Sequence, residues 1–116
     1  MKYIAATLLL LLAGCSEPAT EPGLKALVGG RLEASLDSKP VPYSVVVIAA
    51  GKIRAVGSQQ MVPVPKGAET ISTKGKVVRP MPQDGTIKVG ESADLMIVDA
   101  DTGAPDKVMR RGEWVR

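Results

Sequence analysis

Val45-Val46-Val47-Ile48-Ala49-Ala50-Gly51-Lys52-Ile53-Arg54-Ala55-Val56-Gly57 is the stretch from which the fold is read. A β-branched run reaches a glycine, and the chain returns with apolar residues alternating with small or charged ones. β-Branched side chains suit a pleated, half-buried surface. Glycine at the reversal takes a positive φ without steric cost. The stretch therefore reads as a hairpin, with strands over Ser44–Ala49 and Lys52–Ser58 about the turn Ala50-Gly51.

The same logic spreads outward. Val108-Met109-Arg110 turns at Arg111-Gly112 and returns as Glu113-Trp114-Val115. Further strands are expected over Ala26–Val28, Arg31–Ser35, Glu69–Ser72, Val77–Arg79, Leu95–Asp99, Lys107–Arg110 and Glu113–Arg116, with Gly29-Gly30, Lys66-Gly67 and Lys74-Gly75 as turns between them. Val62-Pro63-Val64-Pro65 is kept out of any central strand, because proline lacks the ladder donor. Ser58–Val62 has room for one helical turn, and no longer helical period follows. Short strands at regular spacing with glycine turns argue for a sandwich or small barrel. The expected fold class is all-β, a small β-sandwich.

The N-terminus is set apart. Lys2 precedes an apolar run, Ile4 to Leu12, broken only by Thr7, and Ala13-Gly14 lead into Cys15. Nine residues of signal helix rise about 14 Å, less than half of a hydrocarbon core of about 30 Å. A cleaved export signal fits that length better than a permanent span. Leu12-Ala13-Gly14-Cys15 resembles the lipobox of bacterial lipoproteins. The resemblance implies diacylglycerol on the Cys15 sulfur, cleavage before Cys15 and acylation, palmitate included, of the freed amine. Cys15 is the sole cysteine, so no intramolecular disulfide can form. Ser16 to Gly23 is polar and carries two prolines, a spacer unable to bury a face. The expected organisation is a signal peptide over 1–14, an acylated cysteine and flexible linker over 15–24, and one β domain over 25–116.

Composition narrows the function. The net charge of +3 loses one unit with Lys2, too small a bias to suggest nucleic acid. Aromatic platforms are nearly absent, since beyond the signal the chain has Tyr43, Trp114 and no Phe. No nucleic-acid partner is expected. Arg110-Arg111 reads as a solvated hairpin tip, with anionic headgroups as the other reading.

From Ala26 to Val115 the order of motifs resembles the amidohydrolase superfamily of metal-dependent hydrolases. Ala26-Leu27-Val28-Gly29-Gly30-Arg31-Leu32 is similar to its opening strand, and the Val45–Gly57 hairpin to the one that follows. Pro65-Lys66-Gly67-Ala68-Glu69-Thr70-Ile71 and Gly75-Lys76-Val77-Val78-Arg79-Pro80 continue in the same order. Gly85-Thr86-Ile87-Lys88-Val89-Gly90-Glu91-Ser92-Ala93-Asp94-Leu95-Met96-Ile97-Val98-Asp99 is similar to its closing segment, and Val108–Val115 to its last hairpin. The resemblance implies the composite β-sandwich that both chain ends build in that family. It also marks a departure. After the strand matching Val77-Val78 the family continues into a (β/α)₈ barrel carrying a His-x-His pair and further ligands. Here Arg79-Pro80 is followed by Met81-Pro82-Gln83-Asp84 and then the closing segment. A barrel of about 250 residues has no counterpart, and the chain contains no histidine. The two halves are expected to fold directly onto each other, leaving an apolar patch on the face that loses its cover.

No metal site and no cofactor are expected. A catalytic zinc needs fixed ligands and an open position, and only carboxylates are available: Asp84, Glu91, Asp94, Asp99, Asp101 and Asp106. Asp94 reads as an Asx-type turn residue after Gly90. Asp99-Ala100-Asp101-Thr102-Gly103 lacks the full oxygen spacing and distal glutamate of a calcium loop and reads as a polar turn. Ser35, Ser38, Ser44, Ser58, Ser72 and Ser92 have no histidine base, no Gly-x-Ser-x-Gly elbow and no Ser-x-x-Lys spacing. Gly29-Gly30 precedes a strand, not a phosphate-binding helix. No catalytic residue is assigned, and the reading leans away from an enzyme.

The leading expectation is a membrane-anchored lipoprotein whose amidohydrolase-like sandwich is a non-catalytic structural or interaction module. Its partners are membrane lipid through acylated Cys15 and a protein on the uncovered face. The place is the cell envelope, at the periplasmic side of the outer membrane in a Gram-negative host, because Ser16 is not the aspartate that signals inner-membrane retention. The alternatives are a sandwich subunit completing, with a separate barrel chain, a hydrolase of carbon–nitrogen bonds other than peptide bonds, or a remnant of such an enzyme.

Overall fold

In the computed structural model, residues 23–115 are described. The signal, Cys15, most of the linker and Arg116 lie outside them. Nine strands follow in chain order: β1 (Lys25–Val28), β2 (Arg31–Leu32), β3 (Ser44–Ala49), β4 (Lys52–Ser58), β5 (Glu69–Ser72), β6 (Lys76–Pro80), β7 (Leu95–Asp99), β8 (Pro105–Arg110) and β9 (Glu113–Trp114). They form a four-stranded sheet, β4-β3-β1-β5, and a five-stranded sheet, β2-β6-β7-β8-β9. The fold is all-β, a small sandwich of two mixed sheets. No helix among the described residues is long and apolar enough to cross a membrane.

Each sheet gives one face to a shared core. Leu27, Val46, Ile48 and Ile53 come from the four-stranded sheet, and Leu32, Val78, Leu95, Ile97 and Met109 from the five-stranded one. Ile87 and Ala93 join them from the segment before β7. Burying one Leu or Ile side chain contributes about 1.5–3 kcal/mol, so this cluster is what holds the sheets together. β3 is buried at all six positions, as expected of an unbroken apolar run in a central strand. β4, at the sheet's edge, begins exposed–buried–exposed through Lys52, Ile53 and Arg54.

Two parallel pairings tie the sheets into one body. β1 runs parallel to β5, and β2 parallel to β6. β1 continues into β2, and β5 into β6, so two neighbouring segments cross from sheet to sheet together. Gly29-Gly30 makes one crossing, and the residues from Thr73 make the other. Gly30 N donates to Thr73 Oγ1 at 2.9 Å, and Thr73 N to Val28 O at 2.8 Å. Ser44, fully buried, donates its hydroxyl to Gly30 O at 2.8 Å. A Cβ on Gly30 would lie 2.5 Å from Thr73 O, so only glycine lets the two crossings touch.

Several strand ends differ from expectation. The strand expected over Arg31–Ser35 ends at Leu32. Ser35 and Ser38 take each other's backbone N–H groups, Ser35 N to Ser38 Oγ at 3.0 Å and Ser38 N to Ser35 Oγ at 3.1 Å, and this local bonding competes with the ladder. β6 extends through Pro80, whose register partner is Leu95, and β8 begins at Pro105. Proline is tolerated at strand ends, where no donor is required. β1 gains Lys25, and β9 stops at Trp114. The turn at Ser58–Val62 is present, with Met61 N and Val62 N both donating to Ser58 O.

Candidate functional site

The bridge from β6 to the segment before β7, Met81–Gly85, is short and tied at both sides. Met81 N donates to Asp94 O at 3.0 Å, and Gly85 N to Pro82 O at 2.9 Å. The chain then closes the gap between the sheets. Ile87 N donates to Ala34 O, and Gly90 N to Ile53 O, each at 2.9 Å. Ile53 N returns a bond to Glu91 O at 2.8 Å, and Ala93 N reaches Gly51 O at 2.9 Å.

Here the two hairpin tips meet. Ala50-Gly51 has φ values of 51° and 78°, and Arg111-Gly112 of 51° and 79°. Positive φ at both central residues gives the twist that two-residue hairpins require. A Cβ on Gly112 would sit 2.9 Å from Gly51 Cα, and one on Gly51 would sit 2.8 Å from Arg111 O. Gly112 N donates to Ala93 O at 3.1 Å, and Arg111 N to the Asp94 carboxylate at 2.8 Å. Ser92 Oγ donates to the same Asp94 oxygen at 3.2 Å.

Three shallow hollows adjoin along this side. One of about 410 Å³ lies among Glu33, Ser35, Leu36, Ser38, Pro40, Arg79, Pro80 and Gln83. Pro80 also lines the next, of about 400 Å³, which runs over the bridge to Ser92 and Asp94. Ser92 in turn lines the third, of about 350 Å³, with Gly23, Ala50, Gly51, Lys52, Arg111 and Glu113. Leu36 is 71% exposed at the rim of the first. Inside that hollow, Arg79 Nε donates to Glu33 Oε1 at 2.8 Å, and Arg31 lies 3.4 Å from the other Glu33 oxygen. This network escapes sequence reading, because 46 residues separate Glu33 from Arg79 and no local pattern links them.

Four of the six candidate acids, Asp94, Glu91, Asp99 and Asp106, are held in structural contacts. Asp94 fixes the β8–β9 tip. Glu91 accepts the Thr86 hydroxyl at 2.7 Å and faces Lys88 at 3.9 Å. Asp99 accepts Thr102 N at 3.0 Å and Asp101 N at 2.9 Å. Those backbone donors, Thr102 first and Asp101 next, hold its carboxyl below the ordinary value. Burial opposes them less strongly, and the Lys76 ammonium adds a smaller push in their direction. Lys76 also lies 3.4 Å from Asp106. Asp84 is exposed on the bridge, and Asp101 on the turn after β7. Among the described residues no three His, Cys, Asp or Glu side chains group so as to hold a metal ion.

The serines are dispersed in the same way. Ser44 supports the sheet crossing, Ser35 and Ser38 bond each other, and Ser72 Oγ accepts Lys74 N at 3.3 Å. Ser58 closes its one turn through its carbonyl. Cys15 lies outside the described residues.

No family model matches the chain, and no curated protein matches it. Among solved structures it is similar to a chain described under the structural and catalytic characterization of molinate hydrolase. The two are 34% identical, with a TM-score of 0.46, over 53% of this chain and 13% of that one. This chain thus spans a small fraction of its structural neighbour's length.

Proposed function

We propose that the chain is a membrane-anchored lipoprotein whose amidohydrolase-like β-sandwich is a non-catalytic structural or interaction module. The closed bridge carries this reading. Where the resembled family inserts a barrel, Met81–Gly85 join β6 to the closing segment, and Met81 N bonds back to Asp94 O. Pro80 remains paired with Leu95 across that joint. A sandwich sealed there has no need of a barrel to complete its core. The family's metal does not fit these residues: there is no histidine, and Asp94 and Glu91 are engaged with Arg111, Ser92, Thr86 and Lys88. Membrane attachment rests on Leu12-Ala13-Gly14-Cys15, and delivery to the outer membrane on Ser16.

The test uses the full chain expressed in a Gram-negative host and purified from membranes. Mass spectrometry of the Cys15 peptide should show the acyl groups, and Cys15→Ala should release the protein from the membrane. The purified chain should leave amides, cyclic amides and carbamates unhydrolysed, with or without added zinc, manganese or cobalt. Reproducible turnover that co-purifies with the chain would refute the non-catalytic reading.

A second reading is favoured by the hollow beside the bridge and its exposed Leu36. In it the sandwich completes a hydrolase of carbon–nitrogen bonds other than peptide bonds, with the barrel on another chain. It requires that a barrel protein co-purify and that turnover appear only in the complex.

A further inference from the structure

β5 is the last strand on one side of the four-stranded sheet, and its strand neighbour is β1 alone. Glu69 N donates to Leu24 O at 3.0 Å, and Thr73 N to Val28 O at 2.8 Å. Backbone groups of successive strand residues turn to opposite sides, so Glu69, Ile71 and Thr73 face β1. Thr70 and Ser72 turn their N–H and C=O groups the other way, and no described residue bonds them there.

Each other edge is partly covered or too short to template a strand. On the far side of the same sheet, Ile53 of β4 bonds Glu91 O and Gly90 N, and Ser58 O takes Met61 N and Val62 N. In the second sheet, Leu32 of β2 exchanges both bonds with Val41, and β9 is two residues long. Protected edges carry proline, lysine or a bulge. Glu69-Thr70-Ile71-Ser72 has none of these.

The side chains indicate which strand fits. Ile71 packs on the core from the sheet's margin and is only half-buried, while Thr70 and Ser72 are exposed. An antiparallel second β5, related by a two-fold axis at Ile71, would complete that cover. Each Thr70 would exchange backbone bonds with the second copy's Ser72. The two Ile71 side chains would meet at the intervening position without hydrogen bonds, where facing side chains come closest. Charge selects the same register. Glu69, Lys66 and Lys74 are exposed, and none has an ion-pair partner among the described residues. With the axis at Ile71, Lys74 ends the pairing within reach of the second copy's Glu69, and no two like charges face each other. An axis at Thr70 would set Lys66 against the second copy's Lys74. An axis at Ser72 would carry the pairing beyond Thr73, where the chain leaves for the other sheet.

We infer that β5 is a pairing edge for a second copy of this chain, joining two four-stranded sheets into one continuous sheet. The interface is small, a few backbone bonds and one apolar pair, so the dimer is weak and reversible. The inference needs neither the anchor at Cys15 nor the absence of catalysis.

The test is register-specific oxidation, by copper–phenanthroline, of the full chain in membranes and after purification. The parent chain gives the background from Cys15. Facing residues at an antiparallel position without hydrogen bonds lie within disulfide reach. Ile71→Cys should therefore give a product of twice the chain's mass. Glu69→Cys, more exposed but displaced from its twin along the strands, should stay at background, whereas random collision would favour it over Ile71. Thr70→Pro, added to Ile71→Cys, removes an outward N–H that the fold does not use. It should return the product to background with an unchanged melting temperature. Glu69→Lys should weaken the pairing about tenfold, read as dimer fraction over a concentration series. Glu69→Lys with Lys74→Glu should restore it, a readout that stands even if the proline disturbs the fold. Equal products at Glu69 and Ile71, or an Ile71 product indifferent to Thr70→Pro and to the charge exchange, overturns the pairing. An Ile71→Cys product with another protein, in place of the double-mass one, overturns the second copy as the occupant.

Discussion

At one end of the sandwich the backbone crosses between sheets in two adjacent strokes, and at the other two hairpin tips are pressed back to back. The crossing end is sealed with polar groups. Gly30 N, Gly30 O and Thr73 N all find partners there, and Ser44 and Thr73 are almost wholly buried. The tip end is sealed by backbone contact between Gly51 and Gly112, and leaves shallow hollows and exposed cations around it. Both ends depend on glycine, for different reasons. Gly30 has no need of a positive φ and lacks a side chain only because Thr73 occupies the space. Gly51 and Gly112 require the left-handed conformation and the room as well. The crossing end is thus closed by buried hydrogen bonds, whereas the tip end is also surface.

The sharpest way to break this comparison is Gly30→Ala. The new methyl meets Thr73 O at 2.5 Å and Lys76 O at 2.9 Å, and neither backbone oxygen can yield without parting the crossings. A loss of about 3–5 kcal/mol is expected in urea unfolding. Gly112→Ala should follow, at about 2–4 kcal/mol, combining the left-handed penalty with the contact on Gly51. Gly103 is its control, since it has a similar φ of 75° and nothing within 4 Å of an added Cβ. Gly103→Ala should cost only the conformational part, about 1–2 kcal/mol. Equal losses at Gly103 and Gly112 would show that the tips are not braced against each other.

Thr73→Val tests the polar seal. It keeps the side-chain shape but leaves the buried Gly30 N–H without its acceptor, which should cost about 1–3 kcal/mol. Thr73→Ser should recover most of that. The smallest effect belongs to Asp99. Its carboxyl is held below the ordinary value in the folded chain, so its contribution is present above the unfolded value of about 3.9. That contribution fades as pH falls through the lower folded value. Asp99→Asn should thus reduce stability slightly at neutral pH and flatten the acid limb of a thermal-melting profile, with the two proteins converging only once pH has fallen below the lowered folded value.

Local chemistry explains which parts of this arrangement were legible in the sequence. The β3–β4 and β8–β9 hairpins could be read because Ala50-Gly51 and Arg111-Gly112 state their turns within two residues. Asp94 reads in the sequence as an Asx-type turn residue, but its carboxylate instead takes Arg111 N, 17 positions away, and the Ser92 hydroxyl. Thr73 sits in Ser-Thr-Lys-Gly and looks like any polar turn residue. Its role depends on Gly30, 43 positions earlier. Arg31–Ser35 has strand composition throughout, yet β2 ends at Leu32, because the mutual capping of Ser35 and Ser38 takes the backbone away from the ladder. The hollow beside Arg79 was hidden for the same reason as Thr73: its walls come from segments that the parallel pairings bring together.

Those pairings also bear on how the chain reaches its destination. Leu27 and Leu32, near the start of the domain, are buried against Leu95, Ile97 and Met109, near its finish. A polypeptide emerging N-terminus first can form its early hairpin, but it cannot bury that hairpin's inner face until residues 95–109 have also emerged. Topologies with such distant pairing fold slowly. This delay leaves the inner face of the early hairpin open until the closing segment is there to cover it.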